Sequence, residues 1–154
     1  RLRFEPEPVD ATDVPGDLRG IRTIFNALHH FRPEVVRSML RDAARDGQPF
    51  LAVEFAGRAP SNLFTVASLA PGSLVARPFI RPFNWKHWFY TYILPLIPAG
   101  TLFDGLVSCL RVYDPDHLRE LTEEIDGMTW EAGRMTSDGL FPGYLTYLIG
   151  VPER

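Results

Sequence analysis

The segment Ile21–Phe31, IRTIFNALHHF, is an apolar run that ends in NALHHF (residues 26–31) and passes directly into a helix opened by Pro33. A strand that is apolar on both faces is typical of the inside of a parallel sheet. Polar groups at the carboxyl end of such a strand face the crevice where doubly wound α/β proteins bind ligands. The segment therefore predicts a buried strand, Arg22–Leu28, with a ligand site at its end.

The residues after Pro33 predict an amphipathic helix that leads to a second strand. Gly47 stands where a left-handed cap would end this helix. Phe50–Phe55 is short, apolar and bounded by Pro49 and Gly57, which indicates a second buried parallel strand reached through a βαβ crossover. Two strands and one helix in this order predict an α/β fold. The helix is expected to bury Val35, Val36, Met39, Leu40, Ala43 and Ala44 and to expose Arg37, Arg41, Asp42 and Arg45.

The C-terminal part predicts one helix and a pair of strands. Asp114 and Pro115 supply an N-cap and an N1 proline for a helix that ends near Gly127. Thr129–Met135 and Tyr144–Val151 are β-like and are joined by a turn-rich loop, so they are expected to pair antiparallel. The helix is expected to turn Leu118, Leu121 and Ile125 inward.

Residues 58–103 are rich in proline and aromatic residues and are predicted to be the least regular part of the chain. Trp88–Phe103 has no charge, but it is shorter than the roughly 20 residues of a spanning helix and contains Pro95 and Pro98. A buried or pocket-lining segment is therefore expected, and a contact of its aromatic residues with a bilayer surface is the alternative. The aromatic residues of this region are expected either to wall a ligand pocket or to plug one end of the core. They are Phe79, Phe83, Trp85, Trp88, Phe89, Tyr90 and Tyr92.

Composition limits the class of protein. A chain of 154 residues with 45% hydrophobic content is long and apolar enough to form a core. The net charge of −3 gives no electrostatic case for a nucleic-acid partner. Cys109 is the single cysteine, which excludes an internal disulfide framework and favours a reducing, cytoplasmic compartment.

The predicted strand ends carry the candidate catalytic and binding residues. Parallel connectivity places successive strand ends together, so the side chains of Asn26, His29 and Glu54 are expected to face one crevice on the same side of the sheet. A histidine at the end of the first strand is a candidate general base because the ordinary pKa of an imidazole lies near neutral pH. The alternative is that the adjacent histidines only fill space and cap the helix. Glu54 interrupts an apolar strand, which costs free energy unless the carboxylate is paired or solvated. It either orients backbone or acceptor groups or pairs with Arg58.

Two other kinds of site are not expected. The chain has no G-x-S-x-G motif, so a serine hydrolase site is not expected. Cys109 lies in the apolar run LVSCL, which indicates a buried and inert thiol. A metal site is not expected because no dense spacing such as H-E-x-x-H joins the candidate ligands His29, His30, Glu54, His87 and His117.

Four blocks in this order resemble the later part of class I S-adenosylmethionine-dependent methyltransferases. The run NALHHF is similar to the fourth strand of that family and the turn after it. Val9–Pro15 looks like the acidic segment after the third strand, Pro49–Glu54 like the fifth strand with its terminal acid, and the C-terminal strand pair like the sixth and seventh. The resemblance covers nearly the whole chain but not the family's first strand, and no G-x-G-x-G turn is present. It implies the C-terminal half or two thirds of an enzyme, cut in front of its third strand.

The resemblance implies a three-layer Rossmann-like sheet truncated at its N terminus. Residues 1–154 would then be one partial domain, with cofactor-side strands and helix in 1–57, an aromatic acceptor or lid region in 58–113, and a helix with the strand pair in 114–154. The cut would leave one edge of the first predicted strand, Ile21–Leu28, without its family neighbour. That edge is expected to lie bare, to be covered by residues 1–20, or to pair with a second copy of the chain.

The implied function is transfer of a methyl group from S-adenosylmethionine to an apolar or aromatic small molecule. The isolated chain, without the glycine-rich turn, is expected to be inactive and to bind the cofactor weakly or not at all. The resemblance implies that Asp10 binds the cofactor, and the alternative is that Asp10 only forms a turn. Two other functions stay open, a non-catalytic interaction module and a peripheral membrane protein. The implied site has His29 as catalytic base, Asp10, Ala11, Asn26 and Leu28 on the cofactor, and His30, Glu54, Trp85, Trp88 and Tyr92 on the acceptor.

Overall fold

The computed structural model describes residues 5–137 and 143–153. The chain forms two compact units. The first contains Arg1–Glu54, Tyr113–Arg134 and Thr146–Arg154, and the second contains Phe55–Val112 and Met135–Leu145. The larger segment of the second unit nearly coincides with the predicted aromatic region, residues 58–113.

The first unit contains the predicted βαβ crossover. It consists of β1 (Arg22–Phe25), α1 (Pro33–Arg45) and β2 (Phe50–Glu54). The two strands are parallel, and their register places Arg22 opposite Phe50. The carboxyl ends of β1 and β2 therefore lie side by side.

Two C-terminal strands complete the sheet, as predicted. They are β3 (Met128–Ser137) and β4 (Gly143–Pro152), and the strand order is β1-β2-β4-β3. β4 runs antiparallel to β2, with Glu54 opposite Thr146. The sheet is mixed and alternates with helices, which confirms the α/β class. The turn predicted at Asp138-Gly139 and Pro142 lies outside the described residues.

The core of the first unit lies between helices and sheet. α1 packs against α5 (Pro115–Thr122). Gly47 has a φ of +60° and its N–H donates to the carbonyl of Ala44 at 3.0 Å, so the predicted left-handed cap of α1 is confirmed. Burial is also confirmed for the predicted inward residues except Val35 and Ala44, which are half-buried. The core comprises Leu28, Val36, Leu40, Ala43, Phe50, Ala52, Leu118, Leu121, Ile125, Ala132 and Leu148.

Three predictions about the first unit are wrong. β1 ends at Phe25 and not at Leu28, because Asn26 adopts a left-handed φ of +48° that turns the chain out of the ladder. β1 is also exposed at alternate residues, because among the described strands it pairs only with β2 and stands at the sheet edge. Asp42 is buried and not on the solvent face of α1, because it pairs with Arg22 and Arg45.

The segment before β1 is irregular. Residues 5–20 form turns and extended stretches without a strand. The third strand that the resemblance places before Asp10 is therefore absent from the described part of this segment. Asp10 instead belongs to a turn, in which its carbonyl accepts from the N–H of Asp13 at 3.2 Å.

The larger segment of the second unit, Phe55–Val112, is helical, so the prediction of an irregular region over residues 58–103 is wrong. Its elements are α2 (Pro60–Ala76), α3 (Trp85–Trp88), a π-helical turn at Phe89–Ile93 and α4 (Leu96–Arg111). A short 3-10 helix, Arg77–Phe79, follows α2 directly.

The positions of Pro60 and Pro98 explain part of this difference. Pro60 is the first residue of α2 and Pro98 lies in the first turn of α4, where no intrahelical N–H bond is required. Pro71, in contrast, lies inside α2. α2 and α4 pack against each other, and they approach closely where a Cβ on Gly105 would lie 2.3 Å from Cγ1 of Val66.

Candidate functional site

Three donors converge on the carboxylate of Glu54, the last residue of β2. Its Oε1 accepts from the backbone N–H groups of Ala27 at 2.9 Å and Leu28 at 2.8 Å, and its Oε2 is hydrogen-bonded to Nδ1 of His29. Glu54 is 2% exposed and His29 is 6% exposed. A buried carboxylate is stable when it is paired and hydrogen-bonded, so these contacts explain how an apolar strand tolerates a glutamate.

The backbone at the end of β1 brings the donors to Glu54. Asn26 donates its N–H to the carbonyl of Val53 at 2.9 Å, which continues the ladder by one bond. Its left-handed φ then redirects the chain, and asparagine is one of the few residues that tolerate this conformation. A 3-10 helix, Leu28–His30, follows and places the ring of His29 on the carboxylate. The turn Asn26–His30 is named the NALHH turn below.

The arrangement suits a positioned imidazole. An ionised carboxylate only accepts hydrogen bonds, so it matches the three donors around Glu54. It favours the His29 tautomer with the proton on Nδ1, which leaves the lone pair of Nε2 as a proton acceptor. The ring of the exposed His30 lies with its centroid 4.3 Å from that of His29. His29 and Glu54 together can hold a proton at Nδ1 of the imidazole and accept another at Nε2.

Five predicted site residues meet in this turn. They are Asn26, Leu28, His29, His30 and Glu54, and the prediction that His29 and Glu54 share one side of the sheet is confirmed. Of the two roles predicted for Glu54, orientation of the backbone is the one observed. Arg58 instead donates to the carbonyl of Leu110 at 3.1 Å within the second unit.

Asp10 and Ala11 lie in the irregular segment before β1. Oδ1 of Asp10 accepts from both the backbone N–H and the hydroxyl of Thr12, each at 2.8 Å. The backbone bond above all, and then the hydroxyl bond, hold the pKa of the Asp10 carboxyl below its usual value. Asp10 thus has the turn-forming role that the sequence left as an alternative. It also lines a cavity of about 450 Å³ with Glu5, Glu7, Asp13 and Asp17.

The predicted acceptor residues Trp85, Trp88 and Tyr92 belong to the second unit and are exposed. The rings of Trp88 and Tyr92 lie 4.6 Å apart, and the Tyr92 hydroxyl donates to the carbonyl of Leu74 at 2.6 Å. The prediction that Trp88–Phe103 is buried is wrong, because most of its residues are exposed, and so is the alternative in which these rings plug the core. That the segment lines a pocket stays a prediction.

Sequence reasoning missed an ion-pair cluster that joins β1 to α1. Arg22 of β1 pairs with the buried carboxylate of Asp42 and, at 2.7 Å, with Asp46. Arg45 pairs with both acids from the helix itself. Hydrogen bonds first from Arg45 and then from Arg22 hold the pKa of the Asp46 carboxyl below its usual value. The i, i+4 spacing of the two acids was the available signal, because it places them on one face of the helix.

No group of three or more histidine, cysteine or acidic side chains within residues 5–137 and 143–153 could hold a metal ion. Comparisons of this chain with protein-family models, with curated proteins and with solved structures each found no match. The NALHH turn and its carboxylate are therefore interpreted from their own geometry.

Proposed function

We propose that this chain is the C-terminal portion of an S-adenosylmethionine-dependent methyltransferase that methylates an apolar or aromatic small molecule. The proposal depends on one observation, the bonds from the NALHH turn to Glu54 at the ends of two parallel strands. Ligands of Rossmann-like sheets bind at this edge. The position of β1 at the sheet edge is also compatible with further strands of the three-layer fold beside it.

The residues of the turn fit part of the cofactor. When bound, S-adenosylmethionine supplies a methyl group already activated on its sulfonium, so the protein must mainly align the reactants and exclude water. Asn26 is an exposed polar member of the turn, as is His30, and its amide suits the amino-acid moiety. Leu28 is fully buried and its N–H is bound to Glu54, so its part is to hold the turn. In the resembled family the glycine-rich turn binds most of the cofactor.

His29 is the proposed base. With Nδ1 held by Glu54, Nε2 accepts the proton of an acceptor hydroxyl or amine as the methyl group is transferred. Support for an apolar or aromatic acceptor comes from the resemblance and from the aromatic content of the sequence, which includes Trp85 and Trp88.

The test is methyl transfer by a chain extended upstream of Arg1 to include a glycine-rich turn, with radiolabelled S-adenosylmethionine. His29→Ala is expected to lower turnover about 10²–10⁴-fold, the effect of a lost general base. His117→Ala, an exposed histidine on α5, is the matched control and should keep wild-type turnover. Near-normal turnover of His29→Ala would make His29 a packing residue.

The coding sequence directly upstream of Arg1 separates this proposal from a non-catalytic interaction module. A strand that ends in a glycine-rich turn supports the enzyme. A start codon immediately before Arg1 would contradict it and favour the module.

A further inference from the structure

The helical segment Phe55–Val112 exposes an unusually large apolar surface. Phe79, Ile93 and Phe103 are 80%, 73% and 71% exposed, and most of the exposed large apolar side chains of the described chain lie in this segment. Contiguous apolar surface of this kind marks a docking site for a protein or a membrane.

The distribution of exposure favours a membrane. Every residue in 78–90 and in 92–97 is exposed, and only Thr91 between them is buried. A second protein covers one face of a helix, which would leave the other apolar sides in water. Immersion at the boundary of lipid headgroups and acyl chains surrounds the segment on every side.

Charge points to the same partner. Between Phe55 and Phe103 the chain has no aspartate or glutamate, although its net charge is −3. Four basic residues stand in that stretch, and three of them, Arg58, Arg81 and Lys86, are exposed. Lys86 directly follows the exposed Trp85 in sequence, and Arg81 stands four residues before it. Basic residues next to tryptophan suit the level of anionic headgroups.

Four hydroxyl groups within the helices are already hydrogen-bonded. Each of four hydroxyls donates to the backbone carbonyl three or four residues earlier, so removal from water leaves it paired. The donor–acceptor distances are 2.6 Å for Ser68, Ser73 and Thr91 and 2.9 Å for Thr101.

Length and shape indicate insertion without crossing. Among the described residues no single helix is long and apolar enough to span a bilayer. The pair Trp85–Ile93 and Leu96–Arg111 reaches that length and composition together but is bent by 73°. Pro95 stands at the bend, where it cannot donate to a continuous helix.

We propose that Phe55–Val112 docks this protein on the surface of an anionic bilayer. Phe79, Ile93 and Phe103 enter the acyl boundary, while Arg81 and Lys86 contact the phosphate groups. The proposal does not rest on methyl transfer, because binding is measured on the 154-residue chain without cofactor or acceptor.

The test is flotation of the full chain with liposomes of phosphatidylcholine and phosphatidylglycerol. The wild type is expected to float with them. Ile93→Asp should bind about tenfold to a hundredfold more weakly, because it removes a large apolar side chain from the bilayer. Ile21→Asp is the matched control, since Ile21 is 66% exposed but lies in the first unit, and it should float like the wild type. Circular dichroism verifies that both variants fold.

Charge variants complete the test. Arg81→Gln and Lys86→Gln should each weaken binding to the anionic liposomes about fivefold, the effect of one basic residue at such a surface. Neither should change binding to phosphatidylcholine alone. A wild-type chain that stays unbound, or that buries the segment in a lipid-independent dimer dissociated by Ile93→Asp, would overturn the proposal.

Discussion

Glu54 connects the backbone and the side-chain chemistry of the NALHH turn. One of its oxygens holds two backbone N–H groups and the other holds the ring of His29. The carboxylate therefore supports the fold and positions the candidate base at once. A substitution at Glu54 should therefore lower the stability of the fold, whether or not the protein is assayed for a reaction.

Glu54→Gln is expected to lower the free energy of unfolding by about 3 kcal/mol, because a neutral amide cannot accept from all three donors. Urea denaturation measures this loss. Hydrogen exchange at the Ala27 and Leu28 amides should become faster. Glu124→Gln, on an exposed residue, is the control and should change stability by less than about 0.5 kcal/mol. Equal stability of Glu54→Gln and the wild type would show that the carboxylate does not organise the turn.

Asp46 gives a pH-dependent prediction. Its folded pKa lies below the ordinary value of 3.8, so its ion pairs add stability above that pH and lose it as the pH falls through the folded pKa. Asp46→Asn should therefore flatten the acid limb of the stability curve below pH 3.8. Urea midpoints measured across this range test it, with Asp126→Asn as a control for the loss of one surface charge. An unchanged acid limb in Asp46→Asn would contradict the assignment.

At the scale of elements, local signals predicted α1, β2 and the start of α5 well, but α5 ends at Thr122 and not near Gly127. Prolines at N1 and the left-handed Gly47 act within one turn, so the sequence alone contains them. The end of β1 could not be predicted, because the left-handed Asn26 is held by contacts with β2 and Glu54 from distant parts of the chain. α4 was missed because Pro95 and Pro98 were interpreted as breaks, whereas Pro95 precedes the helix and Pro98 lies in its first turn. α2 was missed because the proline and aromatic content of residues 58–103 was interpreted as a sign of irregular structure.

The close packing of α2 and α4 yields a matched pair of substitutions in α4. Gly105→Ala is expected to destabilise the protein by about 1–3 kcal/mol, because its Cβ would overlap Val66 and the overlap outweighs the gain in helix propensity. Gly100→Ala has no atom within 4 Å of the new Cβ, so it should stabilise the helix by up to about 1 kcal/mol. Thermal unfolding compares the two. The same sign for both changes would contradict the packing.

At the scale of the molecule, the chain combines a mixed sheet that carries the candidate site with a helical unit of exposed apolar residues. The sequence predicted that Asn26, His29 and Glu54 would meet, because parallel connectivity places strand ends together. It did not predict the exposure of the aromatic residues, because burial depends on how many neighbours the fold supplies. Pairing of two copies through β1 stays a prediction.

Calorimetric titration with S-adenosylmethionine tests the central claim most directly. Binding with a micromolar Kd corresponds to a binding free energy of about −8 kcal/mol. The 154-residue chain alone is expected to show no binding of that strength. A chain extended upstream through a glycine-rich turn should bind at micromolar concentration and lose that affinity in Glu54→Gln. Micromolar binding by the 154-residue chain, or no binding by the extended one, would contradict the account.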